Sequence, residues 1–381
     1  MNIRTITIFM PGPPVTEQID RAGRFLATAA EHFESKGVSV QTRRVAFSKP
    51  PLSGHDATLS SRKLEFYKSL ELACETNHID FCSLGAVRHP DDIRAIAGLI
   101  LETSRLYAFA EVLPVDGEVN TSTMSAAADA IVRIGRESDA GLANFRFAAG
   151  FSIKPGGPFF PSSYHEGDEP YFAVGTQNSD VLIEAFRGAE SLTEAEQRLG
   201  VRLSEAFSPI ETAAKEIAEH GQVAFHGIDP SVVPILEERY SFAEAFNHLG
   251  VRIGEHGTLA VCALVTRAIR SLPLTAVGFR GIMLPALEDF GLAAAIDAGR
   301  LDMHKLLTYS SVCGVGLDMV PLPGNVTSDE LVMVMTDIAA LSRTLSKPLM
   351  ARLLPIPNGK RGDLTALVHP YLCNTKILSA R

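Results

Sequence analysis

Short runs rich in β-branched and aromatic residues alternate with amphipathic helical patterns along most of this chain, and that alternation restricts it to a parallel α/β sheet or barrel. About ten candidate strands follow from the periodicity. They are Ile3 to Phe9, Val38 to Phe47, Ile79 to Leu84, Tyr107 to Leu113, Phe145 to Ile153, Tyr171 to Gly175, Gln222 to His226, Ala276 to Met283, Val315 to Val320 and Leu349 to Leu354. Between them, apolar residues at helical spacing predict helices over Thr16 to Ser35, Asp91 to Glu102, Ser191 to His220, Thr258 to Ser271 and Ser328 to Leu345. Ser328 followed by Glu330 predicts a capped, acidic start for the last of these. No repeat or low-complexity linker divides the chain, so residues 1–381 read as one large domain. The exception to the pattern is KPGGPFFPSSYHEGDEP, Lys154 to Pro170, a long irregular loop of the kind that serves as a lid, a binding loop or an interface arm.

With 46% hydrophobic and 21% charged residues, the chain can bury a large core. Its formal net charge is -9, and its basic residues cluster no further than pairs such as Arg43 and Arg44, so the electrostatic footprint of a nucleic-acid partner is missing. Cys74, Cys82, Cys262, Cys313 and Cys373 are widely spaced, with no CxxC pair, which fits reduced thiols in a cytoplasm. The N-terminal MNIRTITIFMPGPP reads as a strand and lacks the features of a secretory signal. Apolar stretches such as Leu259 to Val265 fall far short of a bilayer span. A soluble, cytoplasmic protein with no membrane partner is the expectation.

Three stretches carry the candidate chemistry. In SSVCGVGLDMVPLPG, Ser310 to Gly324, Cys313 and Asp318 sit in a glycine-broken turn, and Gly314 and Gly316 permit close approach to a ligand. Cys313 could be a nucleophile, a metal ligand or a small buried hydrophobe. Asp318, inside an apolar run, must be paired, hydrogen-bonded or used. In GFRGIMLPALEDFGLA, Gly278 to Ala293, the adjacent acids Glu288 and Asp289 open a helix; capping accounts for one of them and not for both. Following a strand, they would fall on the face where parallel α/β folds place chemistry. Arg280 could clamp a substrate carboxylate or neutralise a buried acid. In KPLMARLLPIPNGKRGDL, Lys347 to Leu364, Arg352 lies in an apolar strand, where it would want an anion, and Asp363 follows in a glycine turn. PNGK lacks the upstream glycine of a Walker A loop and GVGLD lacks the third glycine of a dinucleotide fingerprint, so neither ATP nor NAD is indicated.

Outside those stretches, His165 and Glu166 with Asp168 and Glu169 could hold a hard or borderline metal or be a solvated acidic loop. Asp229 in GIDPSVVP is a candidate site residue, as is His256 in GEHGTLA, which could equally be a solvated turn histidine.

Taken together these motifs resemble the uncharacterised family known as domain of unknown function 711. The resemblance runs from IRTITIF through FFPSSYH, GFRGIMLPALEDFGLA, YSSVCGVGLDMVPLPG and KPLMARLLPIPNGKRGD to PYLCN at Pro370 to Asn374, nearly the whole chain. A related uncharacterised family looks similar around VC.VGLDM and the acidic pair, which implies that Cys313, Asp318, Glu288 and Asp289 form a shared centre. The resemblance further implies a ten-stranded α/β barrel like that of pyruvate formate-lyase and anaerobic ribonucleotide reductase. Glycyl radical enzymes of that fold carry a cysteine on a loop inside the barrel, which implies Cys313 for that position. The surroundings of Gly359 and Gly362 do not match the radical-glycine motif, so no glycyl radical is expected.

The leading expectation is an enzyme acting on a small polar or anionic metabolite by lyase, isomerase or hydrolase chemistry. Cys313 would be nucleophile or acid/base, Asp318, Glu288 and Asp289 proton carriers, and Arg280 or Arg352 an anion clamp; Asp229, His256 and His165 are further substrate-binding candidates. Two rivals stand beside it. One is a metal-dependent enzyme using Cys313, an acidic residue and His165 as ligands; the other is a non-catalytic metabolite-binding protein. A homo-oligomer is expected on general grounds.

Overall fold

The computed structural model describes residues 1–52, 58–221 and 223–381. Nine strands build one sheet: β1 (Asn2–Met10), β2 (Arg43–Phe47), β3 (Phe81–Val87), β4 (Leu106–Leu113), β5 (Phe147–Phe151), β6 (Tyr171–Gln177), β7 (Ala224–Asp229), β8 (Gly316–Pro323) and β9 (Leu349–Ile356). Their order is β7-β6-β1-β2-β3-β4-β5-β9-β8. β1 to β5 run parallel in chain order. β6 turns back beside β1 and β9 beside β5, and each carries a parallel outer neighbour, β7 and β8. Parallel neighbours need long crossovers, and helices Thr16–Ser35, Ser61–Thr76, Pro90–Glu102 and Thr121–Glu137 supply those between β1 and β5.

Where ten strands were expected, the described residues form a nine-stranded sheet that is not closed. Ala276 to Met283, read as a strand, does not form one. Gly278 and Arg280 take positive φ values of 73° and 57°, which turn the backbone out of the extended region and interrupt any ladder. What remains are isolated parallel bridges, Ile228 to Ala276 and Val232 to Ile282 near β7, and Pro285 to Asp318 at β8. The expected strand from Val38 begins only at Arg43, Val40 making a single bridge to Ile3. Gln222, taken as a strand start, lies outside the described residues. Helices Thr16–Ser35 and Ser328–Leu345 have the expected bounds, the second capped one residue earlier than expected, by Thr327 in a capping box with Glu330.

Strand pleating explains the layering. Ile6, Ile8 and Met10 of β1 and Ala351 and Leu353 of β9 point to the helices, into the largest apolar cluster. Alternate residues point the other way. Phe9, Ala46, Tyr107, Ala173 and Leu354 meet Phe160, Leu287, Leu367 and Leu372, while Phe109, Ala148 and Met350 meet Phe159, Tyr164, Phe279, Met283 and Val315. No α-helix contributes to those two clusters among the described residues; irregular backbone and the short 3-10 helix Asp139–Arg146 do. The middle of loop 154–170, residues 158–165, is packed inside, and the sheet satisfies two of its carbonyls: Thr7 Oγ1 donates to Pro158 O at 3.0 Å and Ser83 Oγ to Ser163 O at 2.6 Å. Burying Phe159 and Phe160 contributes about 2 to 3 kcal/mol each, enough to hold the loop against the sheet.

Candidate functional site

Period-two alternation in β9 sends Met350, Arg352 and Leu354 to the inner face, so the arginine in an apolar strand is aimed at the irregular layer rather than at the helices. On β8 a regular pleat could not place both Asp318 and Met319 inside. Met319 solves this with φ 51° at a shift in the β8–β9 register, a bulge that costs about 1 to 2 kcal/mol for a non-glycine residue. Strain of this kind is retained where surrounding contacts over-determine it. Arg4 enters through a second irregularity, between Ile3 and Thr5 of β1.

These side chains form an alternating chain of charge. Arg352 Nε donates to Asp318 Oδ1 at 2.6 Å, Arg352 Nη2 to Glu288 Oε1 at 2.7 Å, and Arg4 Nη2 to Glu288 Oε2 at 3.0 Å. Arg352, Glu288 and Asp318 are buried. Burial pushes the Asp318 carboxyl above the usual carboxylate range, with Arg352 opposing and Glu288 reinforcing the rise. Burial pulls Arg352 down, but Asp318 and Glu288 together outweigh it and hold the guanidinium firmly charged.

Arg44 of β2 completes the group. It lies within 5.2 Å of the ring centroids of both Phe81 and Phe160, and its Nε donates to Thr42 Oγ1 at 3.0 Å. Among the described residues no carboxylate pairs with it. Burial first, then Arg4, pull it down to about 10, still charged at neutral pH. Arg4, Arg44, Arg352, Glu288 and Asp318 line a cavity of about 40 Å³, walled by Phe81, Tyr107, Phe145, Phe160, Phe279 and Met283.

Of the residues singled out in the sequence, the cavity unites Asp318, Glu288 and Arg352. Asp289 faces elsewhere: it is the N-cap of helix Phe290–Asp297, accepting from Leu292 N at 2.8 Å and from Phe242 N at 2.9 Å, and burial raises it to about 6. Asp229 is fully buried and accepts from Ser231 Oγ at 2.6 Å and from the backbone of Phe279 at 2.8 Å and Arg280 at 3.3 Å. It thereby fixes the irregular segment beside β7, and burial raises its pKa against those bonds. The side chain of Arg280 does not line the cavity, and its Nε is buried without a hydrogen-bond partner among the described residues. His256 is exposed in the turn before helix Thr258–Arg270.

His165 is buried, with Nδ1 at 3.2 Å from Ser48 Oγ, Nε2 at 2.9 Å from Glu169 O, and its ring stacked on Tyr171 at 4.9 Å. It does not meet Cys313. Among the described residues no group of three or more His, Cys, Asp or Glu side chains is placed to hold a metal ion.

Cys313 is 1% exposed and belongs to the main core cluster, not to the cavity wall. Its carbonyl and that of Ser310 accept from Lys347 Nζ at 2.5 Å and 2.9 Å. Burial, then the neighbouring Cys313, push the Cys262 thiol up. The glycines of this turn serve packing: a Cβ on Gly281 would lie 2.8 Å from Gly314, and Gly316 has φ 99°. Sequence reasoning missed Arg4, Arg44 and Lys347. The signal for Arg44 was available, because in RRVAF the apolar residues Val45 and Phe47 face the helices and so turn Arg44 and Ala46 inward.

The profile of a family described as Uncharacterised ACR (DUF711) matches residues 1–368. A UPF0210 protein of Pyrobaculum islandicum is 28% identical over 360 residues, covering 89% of this chain and 79% of that protein. One from Limosilactobacillus reuteri is 24% identical over 368 residues, covering 92% and 81%, and one from Sulfurisphaera tokodaii is 26% identical over 368 residues, covering 91% and 80%.

Proposed function

This chain belongs to the uncharacterised DUF711 family, and from that premise we propose that the inner cavity binds a small anionic metabolite and that Asp318 moves a proton on it. The observation that carries the reading is Arg44, a buried guanidinium without a carboxylate partner on the cavity wall. Three arginines against two carboxylates leave the cavity one positive charge in excess when both acids are ionised. Buried charge without compensation is costly, so an anion is the complement such a site calls for.

A carboxyl raised by burial is better matched to proton transfer near neutral pH than one at its ordinary value. In this reading Asp318 takes a proton from a carbon next to the anionic group, and Arg44 stabilises the electron pair left in the carbonyl system. That is the first step of lyase or isomerase chemistry. Cys313 would act by supporting the loop that leads into β8; a nucleophilic role would require its thiol to reach the cavity.

A second reading has its own observation: both carboxylates already serve arginines, which suits a binding protein without chemistry. Proton NMR in D2O separates the two. Small carboxylic acids incubated with the protein should lose their C–H signals beside the carbonyl, and Asp318→Asn should stop the loss while binding them at least as tightly, since it removes a negative charge from the cavity. Binding with no exchange in the unaltered protein favours the second reading. Exchange that survives Asp318→Asn contradicts the first.

We also propose that segment 275–286 holds an irregular tenth position in a barrel of the pyruvate formate-lyase type. Its parallel bridges toward both edges of the sheet support that reading.

A further inference from the structure

The cavity constrains its occupant more tightly than charge alone, and we infer that the ligand is a short, planar monocarboxylate. The inference rests on the anion-site reading above. Size comes first. A cavity of about 40 Å³ has room for about three water molecules, and thus for a ligand of roughly three to six non-hydrogen atoms.

Charge comes second. One net positive charge is neutralised by a monoanion, whereas a dianion would leave an uncompensated negative charge in a desolvated site.

Shape comes third. The Arg44 guanidinium lies within 5.2 Å of two ring centroids and is tied through Nε to Thr42, leaving its terminal nitrogens as the free edge. That edge matches a carboxylate in two parallel hydrogen bonds better than it matches a tetrahedral oxyanion. Arg352 and Arg4 are both held by Glu288, so a second carboxylate on the ligand would meet an aromatic wall instead of a free cation.

The test is calorimetric titration at pH 7 with four probes: acetate, propionate, inorganic phosphate and succinate. Acetate or propionate should bind at least tenfold more tightly than phosphate and succinate, and Arg44→Met should weaken that binding at least tenfold. Tighter, Arg44-dependent binding of phosphate or succinate overturns the monocarboxylate assignment and leaves the anion site standing. No Arg44-dependent binding of any probe overturns the anion site itself. Should the variant fail to fold, saturation transfer in the unaltered protein decides: irradiating aromatic ring protons should attenuate the acetate methyl signal, and an unchanged methyl signal counts against the site.

Discussion

Replacing Arg44 with methionine separates a ligand-binding arginine from a structural one. Burial pulls the guanidinium from 12.5 to about 10. At about 1.4 kcal/mol for each tenfold change in proton affinity, carrying the charge at neutral pH costs the folded state about 3 kcal/mol. The sign follows from the direction. A base whose folded pKa is depressed penalises the folded state at every pH where it is charged, so the cost is fully present at pH 7. Against it stand the faces of Phe81 and Phe160, worth about 1 to 2 kcal/mol each when desolvated, and one bond to Thr42. The terms nearly cancel, and methionine adds apolar contact in their place. Arg44→Met should therefore lie within about 1 kcal/mol of the parent, or above it, in urea unfolding without anion. Acetate at a hundredfold excess over the parent's dissociation constant should stabilise the parent by about 2.7 kcal/mol and the variant, binding at least tenfold more weakly, by about 1.4 kcal/mol or less. A loss above about 3 kcal/mol without anion, or equal stabilisation of both proteins by acetate, would refute this reasoning.

Four further outcomes follow from the structure. Glu288→Ala strands Arg4 and Arg352 and should cost about 3 to 5 kcal/mol in chemical denaturation, whereas a loss below about 1 kcal/mol would mean that the pair is solvated. Asp289 is raised from 3.8 to about 6, so the folded state holds its proton more tightly and stability falls as pH rises through that window; Asp289→Asn should remove about 3 kcal/mol of that fall, seen as a flatter profile of unfolding free energy between pH 4 and pH 7. Anion affinity should rise as pH falls through the raised pKa of Asp318, because protonation removes one negative charge from the cavity, and Asp318→Asn should abolish the dependence in calorimetry. All five cysteines are buried and unpaired, so Cys313 should alkylate slowly at every pH in the native protein, read by peptide mass spectrometry; fast labelling below the ordinary thiol range of about 8.5 would place an activated thiolate within reach of solvent.

What could be read from residues alone divides along physical lines. Helix Thr16–Ser35 was legible because Ile19, Ala22, Leu26, Ala29 and Phe33 recur at helical spacing. Asp318, Glu288 and Arg352 were legible because charge inside apolar runs has to be answered by something, here by one another. The loss of the tenth strand was not legible, since nothing in FRGIM announces that Arg280 adopts φ 57° and breaks a strand pattern. Adjacent acids Glu288 and Asp289 looked like one functional pair, yet the helix start divides them, turning one into a cap and the other toward the cavity. Cys313 drew notice through its glycines, whose task is close backbone packing, Gly314 against Gly281 and Gly316 against Met350. Arg44 was noted only as half of a basic pair, although strand alternation puts Arg43 and Arg44 on opposite faces.

A small anion in the cavity beside Arg44 would be visible in a crystal structure grown in acetate. Planar density should be bonded to the terminal nitrogens of Arg44, with the ion pairs from Asp318 through Arg352 and Glu288 to Arg4 still closed. Acetate ordered elsewhere and none at Arg44, or an Arg44 side chain paired with a carboxylate of the protein itself, would contradict it.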